Sequence, residues 1–226
     1  RDNPRLNAFL CVDAAGARAA ANASDARRRL GDALGTLDGV PIAIKDNIDV
    51  AGLPTTAGIG HFRNHIATDD AFVTAALRAA GAVILGKLNM HEAALGATND
   101  NPWFGRCENP LREGYTPGGS SGGSGAAVAA GLCAAALGSD TLGSVRIPAA
   151  YCGTAGLKPT YGWISTRGVV PMSWTFDHVG VLAPRMADCA AMLDHCGGFD
   201  AGWPHARARP ARPIDAPLLV TMRIGR

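Results

Sequence analysis

Residues 114–139 form a run of 26 positions without a single charge, and its middle, TPGGSSGGSGAAVAAG at 116–131, restricts the fold more than any other segment. Glycine and serine fill eight of the first ten positions of that segment, after which an alanine-rich apolar stretch takes over. The uncharged run is long enough to cross a bilayer, but Gly, Ser and Pro punctuate it, so a membrane span does not fit. Four local structures remain. A solvated linker is the simplest, yet the Gly/Ser run passes directly into AAVAAGLCAAALG, which needs burial. A phosphate loop requires G-x-x-x-x-G-K-[ST]; Gly118 and Gly123 have the glycine spacing, but Ser124 and Gly125 stand where Lys and Ser/Thr belong. The nucleophile-elbow pattern G-x-S-x-G is present around Ser120, with Asp177, His178, Asp194 and His195 as later acid and histidine partners. An elbow also needs an apolar strand just before it, and LREGYTP is not one.

The fourth reading is a serine–serine–lysine relay. Amide hydrolysis needs a nucleophile, a base for its proton and an acid for the leaving amine. A lysine serves as the base if desolvation lowers its pKa from about 10.4 towards neutrality. Lys45 emerges from the apolar segment VPIAIK, and a second small-residue turn, GSDTLGSVRIPA at 138–149, holds Ser144. Consecutive backbone N–H groups at Thr141, Leu142, Gly143 and Ser144 in such a turn suit an oxyanion hole.

The flanking periodicities alternate between helix and strand. Segment 13–31 has helical composition and stops at Gly31; 39–50 is a β-branched strand entering a polar turn at Asp46 and Asn47. Segment 68–81 reads as a helix with Thr/Asp N-cap candidates and a Gly end, followed by a short buried strand at 82–86. A short helix is expected at 88–96, a strand at 133–140, and a tight turn into a helix at 143–153. An amphipathic helix is expected at 185–198 and a final strand at 216–222. Such alternation implies α/β layering.

An apolar content of 47% with 18% charge supports a sizeable core in 226 residues. From Trp203 onward five arginines face one acid, leaving 16 Lys+Arg against 18 Asp+Glu elsewhere. The basic residues of the body are not clustered, which argues against direct nucleic-acid binding, and PHARARPARP reads as a solvated connector. The six cysteines show no C-x-x-C pair, so neither zinc nor a disulfide framework is expected and a reducing, cytoplasmic compartment is. No basic-then-apolar signal segment opens the chain, which starts at Arg1 without an initiator Met, as if inside a longer protein.

Taken in order, GVPIAIKDNIDVAGLPTTAG, GAVILGKLNMHEAALG, PGGSSGGSGAAVAAG, GSDTLGSVRIPAAYCGTAGLKPTYG and FDHVG resemble the amidase signature family across most of the chain. The resemblance implies an α/β/α sandwich, a mixed twisted sheet covered by helices. Members are typically much longer, so an incomplete portion of that fold is expected, without its opening helices and C-terminal half. Residues 1–200 would be the partial core and 201–226 a Pro/Arg-rich connector with a possible terminal strand.

The resemblance also implies roles. Lys45 is the base; Ser120, behind a cis peptide bond, is the proton bridge; Ser144, 24 residues later, is the acyl-forming nucleophile. Backbone N–H groups of Thr141, Leu142, Gly143 and Ser144 hold the oxyanion. Ser121 supports the turn, Asp140 and Arg146 clamp the nucleophile loop, and Met90 and Gly119 border the substrate. Lys87 is expected to be structural. Leu142 replaces a glycine common in the family, a change that strains the loop only if its φ is positive, and Trp163 stands where a basic residue is common. The implied activity is hydrolysis of a small-molecule amide without metal or organic cofactor, with a homodimer as one expected assembly. The alternatives are a glutaminase component of a tRNA-dependent amidotransferase with partner subunits, or an inactive truncated remnant.

Overall fold

The computed structural model describes residues 3–208. The apolar segments of the sequence meet in one six-stranded sheet: β1 (Phe9–Val12), β2 (Pro41–Lys45), β3 (Val83–Leu88), β4 (Ala135–Asp140), β5 (Ala155–Leu157) and β6 (His178–Ala183). Their spatial order is β1-β3-β2-β4-β6-β5. Central β2 runs parallel to both β3 and β4, whereas β1, β5 and β6 join antiparallel, so the sheet is mixed.

Side-chain alternation along the central strands splits the core in two. Ile42, Ile44, Ala135 and Leu137 face one side, packed with α3 (Phe72–Ala79) and α6 (Met186–His195) through Val73, Leu77, Cys189 and Met192. Ala43 and Ala136 face the other, packed with α4 (Gly122–Ala129) and α5 (Arg146–Cys152) through Ala126, Ala127, Val128 and Ala149. Helices thus cover both faces of a sheet whose central strands are buried, the α/β sandwich expected. A short α1 (Asn3–Leu6) and a long α2 (Ala14–Leu30) complete the described strands and α-helices. Asp13 caps α2 by accepting the Gly16 N–H, and Gly31 ends it at φ 80°.

The glycine run explains why α4 lies so deep. Residues 117–128 are all buried. A Cβ on Gly123 would collide with the backbone carbonyls of Asn89 and Ala8, and one on Gly125 would press on Pro148 and Cys152 of α5. The linker reading therefore fails: these glycines let backbone pack against backbone.

Several local expectations need correction. Helix α3 begins at Phe72, because Asp70 accepts the Ala51 N–H at 2.8 Å and pairs with Arg78 rather than capping a helix. Segment 88–96 is not a helix: β3 runs on to Leu88, and only a 3₁₀ turn at Glu92–Ala94 follows, with Ala93 and Ala94 at φ 52° and 60°. Strands β1, β5 and β6 were not anticipated. The strand expected at 216–222, and with it most of the 201–226 connector, falls outside the described residues. Among the described residues no helix is long and apolar enough to cross a membrane.

Gly123→Ala should lower unfolding free energy by about 1–3 kcal/mol or more through overpacking against fixed backbone. Gly198→Ala, where an added Cβ meets nothing within 4 Å, should stay within about 0.5 kcal/mol. Urea unfolding of both variants checks the contrast.

Candidate active site

Parallel neighbours present their carboxyl ends on the same edge of a sheet. Pairing of Ile44 with Leu137 therefore brings the ends of β2 and β4 together, and with them Lys45, Ser139 and Asp140. Lys45 is wholly buried. Its Nζ lies 2.7 Å from Ser120 Oγ and 2.8 Å from Ser139 Oγ, with the Ser139 carbonyl at 3.4 Å. Desolvation pulls its pKa down to about 7, against the opposing pull of the Asp140 and Asp177 carboxylates. A lysine largely neutral at physiological pH, in contact with a hydroxyl, is equipped to accept a proton from it.

Ser120 follows a cis Gly119–Ser120 peptide bond and precedes α4. Its carbonyl accepts the His91 N–H at 3.0 Å. Ser121 ties the site together: its N–H donates to the Ser144 carbonyl at 3.2 Å, and its hydroxyl donates to the Ser139 carbonyl at 3.2 Å. The two serine turns are thereby held against each other. Ser144 lies in the turn between β4 and α5, half-buried, and lines a cleft of about 330 Å³. Gly119, Leu142, Ile147, Met172 and residues 94–97 form the rest of that wall.

Asp140 organises the Ser144 turn. Its carboxylate accepts the Gly143 N–H at 2.8 Å and the Val145 N–H at 3.1 Å, and pairs with the Arg146 guanidinium at 2.9 and 3.0 Å. Burial pushes this carboxyl up, but the Arg146 and backbone hydrogen bonds outweigh burial and leave it below its ordinary value. Asp177 braces the same turn from outside, accepting the Thr141 hydroxyl at 2.5 Å and the Met172 and Ser173 N–H groups at 2.7 and 2.9 Å.

Two sequence-derived assignments change here. The Gly143 N–H is committed to Asp140, so it is not free to hold an oxyanion. Among the described residues the N–H groups of Thr141, Leu142 and Ser144 have no protein acceptor and stay available. Met90 is wholly buried and does not line the cleft; its carbonyl accepts from Asn101. Leu142 is 80% exposed and is not among the positive-φ residues, so its replacement of glycine carries no backbone strain.

Other candidates lie elsewhere. Lys87 is buried beside Asp46, at 3.5 Å, with the Pro54 carbonyl and Thr55 hydroxyl at 2.8 Å. His195 contacts Thr36 across the domain, and His178 faces the carbonyls of Phe176 and Asp140, so neither histidine partner of the elbow reading is hydrogen-bonded to Ser120. Trp163 packs against the core, its ring N–H without a partner among the described residues. Cys11, Cys107, Cys133, Cys152 and Cys189 are free thiols, and burial raises Cys133 to about 12. Among the described residues no cluster suited to a metal ion occurs. Sequence reasoning missed Ser139, Asn47 and Met172 as neighbours of the site, and named Asp177 only as a partner in the elbow reading. Only Ser139 left a signal, as a polar residue inside an apolar strand one position before Asp140.

An α/β sandwich with a buried lysine hydrogen-bonded to a serine at its parallel strand ends defines a serine–lysine site, not a phosphate-binding or elbow one. The profile of the Amidase family matches residues 1–225, and the chain belongs to that family. It is 49% identical over 217 residues to the A component of the glutamyl-tRNA(Gln) amidotransferase of Anaeromyxobacter sp. strain K, covering 95% of this chain and 44% of that one. Among solved structures, the peptide amidase of Stenotrophomonas maltophilia superposes with a TM-score of 0.87 at 38% identity, covering 95% of this chain and 45% of that one. A protein from a vestigial complex bearing on the origins of an s-triazine catabolic enzyme superposes at 0.90 with 44% identity, covering 93% and 46%. The chain thus spans less than half the length of the relatives it matches.

Asp140→Ala should cost about 3 kcal/mol, since it strands buried N–H groups. Arg146→Ala, at a half-exposed side chain, should cost at most about 1 kcal/mol. Denaturant unfolding of the two variants tests this asymmetry.

Proposed function

We propose that the protein hydrolyses an amide C–N bond with Ser144 as nucleophile, Ser120 as proton bridge and Lys45 as base. The observation that carries this reading is the 2.7 Å contact between Ser120 Oγ and a wholly buried Lys45 Nζ whose pKa lies at about 7. As the Ser144 oxygen bonds to the carbonyl carbon, its proton passes to Ser120 and that of Ser120 to Lys45. The Thr141, Leu142 and Ser144 N–H groups receive the developing oxyanion. Collapse of the intermediate breaks the C–N bond, and the relay, run backwards, protonates the departing amine. Water then attacks the acyl-enzyme by the same route, releasing the acid and restoring Ser144. The apolar cleft beside Ser144 accommodates the substrate. The free thiols of Cys11, Cys107, Cys133, Cys152 and Cys189 suit a reducing compartment such as the cytoplasm.

A second reading, the glutamine-hydrolysing component of an amidotransferase, is favoured by the 49% identity to a component of such an enzyme. It predicts that glutamine turnover depends on a copurifying partner; turnover of simple amides without one supports the first reading.

In the protein carrying this chain, Ser144→Ala should abolish amide turnover and labelling by a fluorophosphonate serine probe. Wild-type turnover in that variant would sink the assignment. Because the base must be neutral, kcat/KM should rise with pH through an apparent pKa of about 7 and fall away on the acid side. A profile flat from pH 5 to 9 would contradict Lys45 as base.

A further inference from the structure

We propose that Asn47 is a positioning residue for Lys45: its side-chain amide fixes the Ser139 hydroxyl and thereby aims the lysine nitrogen at Ser120. The proposal rests on the relay reading above and extends it outward by one layer of side chains.

Asn47 lies two residues beyond Lys45, in the turn after β2, and is 2% exposed. Its backbone carbonyl accepts the Val170 N–H at 2.8 Å, and its Nδ2 donates to the Val170 carbonyl at 3.4 Å. A carbonyl only accepts, so this clasp decides which way round the amide lies. The same Nδ2 donates to Ser139 Oγ at 3.1 Å. A serine oxygen has two lone pairs; one receives the Asn47 N–H and the other a Lys45 N–H at 2.8 Å.

The Ser139 carbonyl, 3.4 Å away, takes a second Lys45 hydrogen. Nitrogen is tetrahedral, so with two of its directions assigned the remaining one faces Ser120 Oγ at 2.7 Å. In the neutral amine that direction holds the lone pair; in the protonated form it holds the hydrogen to be returned. Ser139 Oγ thus aims the proton transfer, and Asn47 holds Ser139 Oγ.

The other end of the amide points to the same conclusion. Among the described residues Asn47 Oδ1 is buried without a hydrogen-bond partner. An unpaired buried carbonyl destabilises a fold, so packing alone would be better served by an apolar side chain here. What the amide supplies is its N–H side. Among the described residues the titratable groups near Lys45 are Asp140 at the end of β4, Asp177 before β6, His91 after β3, and the Asp46–Lys87 pair between β2 and β3. Replacing Asn47 by leucine removes none of them.

The test compares Asn47→Leu and Asn47→Asp with the unaltered protein, reading the rate of fluorophosphonate labelling of Ser144 against pH. Asn47→Leu should slow labelling roughly 10- to 100-fold while keeping cooperative thermal unfolding. Asn47→Asp keeps the shape but sets an acceptor-only carboxylate beside Ser139, so the acid limb should move upward by about one pH unit. Labelling by Asn47→Leu at the unaltered rate, or losses in both variants that merely follow the folded fraction with the acid limb unmoved, would overturn the proposal. Lys45→Ala separates the two levels: full labelling there contradicts the relay itself, whereas loss there with normal Asn47 variants contradicts only the role of Asn47.

Discussion

The hydrogen bond between Lys45 and Ser120 is the contact around which the remaining architecture is arranged. It forms inside the protein, where an amine is costly to charge and easily kept neutral. Three features of the chain are needed at once to make it. Parallel pairing of β2 with β4 delivers Lys45 beside Ser139. The glycines of α4 permit a backbone approach that any side chain would block, which carries Ser120 to the lysine. Asp140, gathering the Gly143 and Val145 N–H groups and Arg146, folds the turn that sets Ser144 on the cleft.

That arrangement opposes stability. An unfolded lysine titrates near 10.4, so keeping it neutral to about pH 7 costs the fold about 4–5 kcal/mol at neutral pH relative to a solvated lysine. The sign follows from proton counting: between the folded and unfolded pKa values the unfolded chain binds more protons, so this cost shrinks as pH rises from 7 and vanishes above about 10.4. Offsetting it are apolar packing on both faces of the sheet and the hydrogen bonds that Ser139 and Ser120 make to the amine. Active-site groups with displaced pKa values commonly carry such a cost.

The layers of the fold were legible because they rest on local rules. Helix α2 is bounded by an Asp cap and a terminal glycine, and β2 and β4 are apolar runs of strand length. Short β1 and β5 were not legible, since strands of four and three residues exist only through their partners. The start of α3 misled for a related reason: Asp70 is a good cap by type, yet a tertiary N–H at Ala51 claims it. Candidate chemistry was legible in residue type and order, because Lys45, Ser120 and Ser144 sit in distinctive segments. Their support was not. Asn47 and Asp177 lie in segments the sequence singled out, but they act through contacts spanning 92 and 36 positions, which residue type and order do not disclose.

Everything proposed for the chemistry requires a neutral Lys45 in the folded protein, and its titration can be followed directly. Labelling the lysine side chains with ¹³C and assigning Lys45 by its loss in Lys45→Met gives its Cε shift as a function of pH. A single transition at about pH 7 is expected, well separated from the other lysines near 10.4. A Lys45 resonance that titrates with the solvent-exposed lysines would contradict a neutral base at this position.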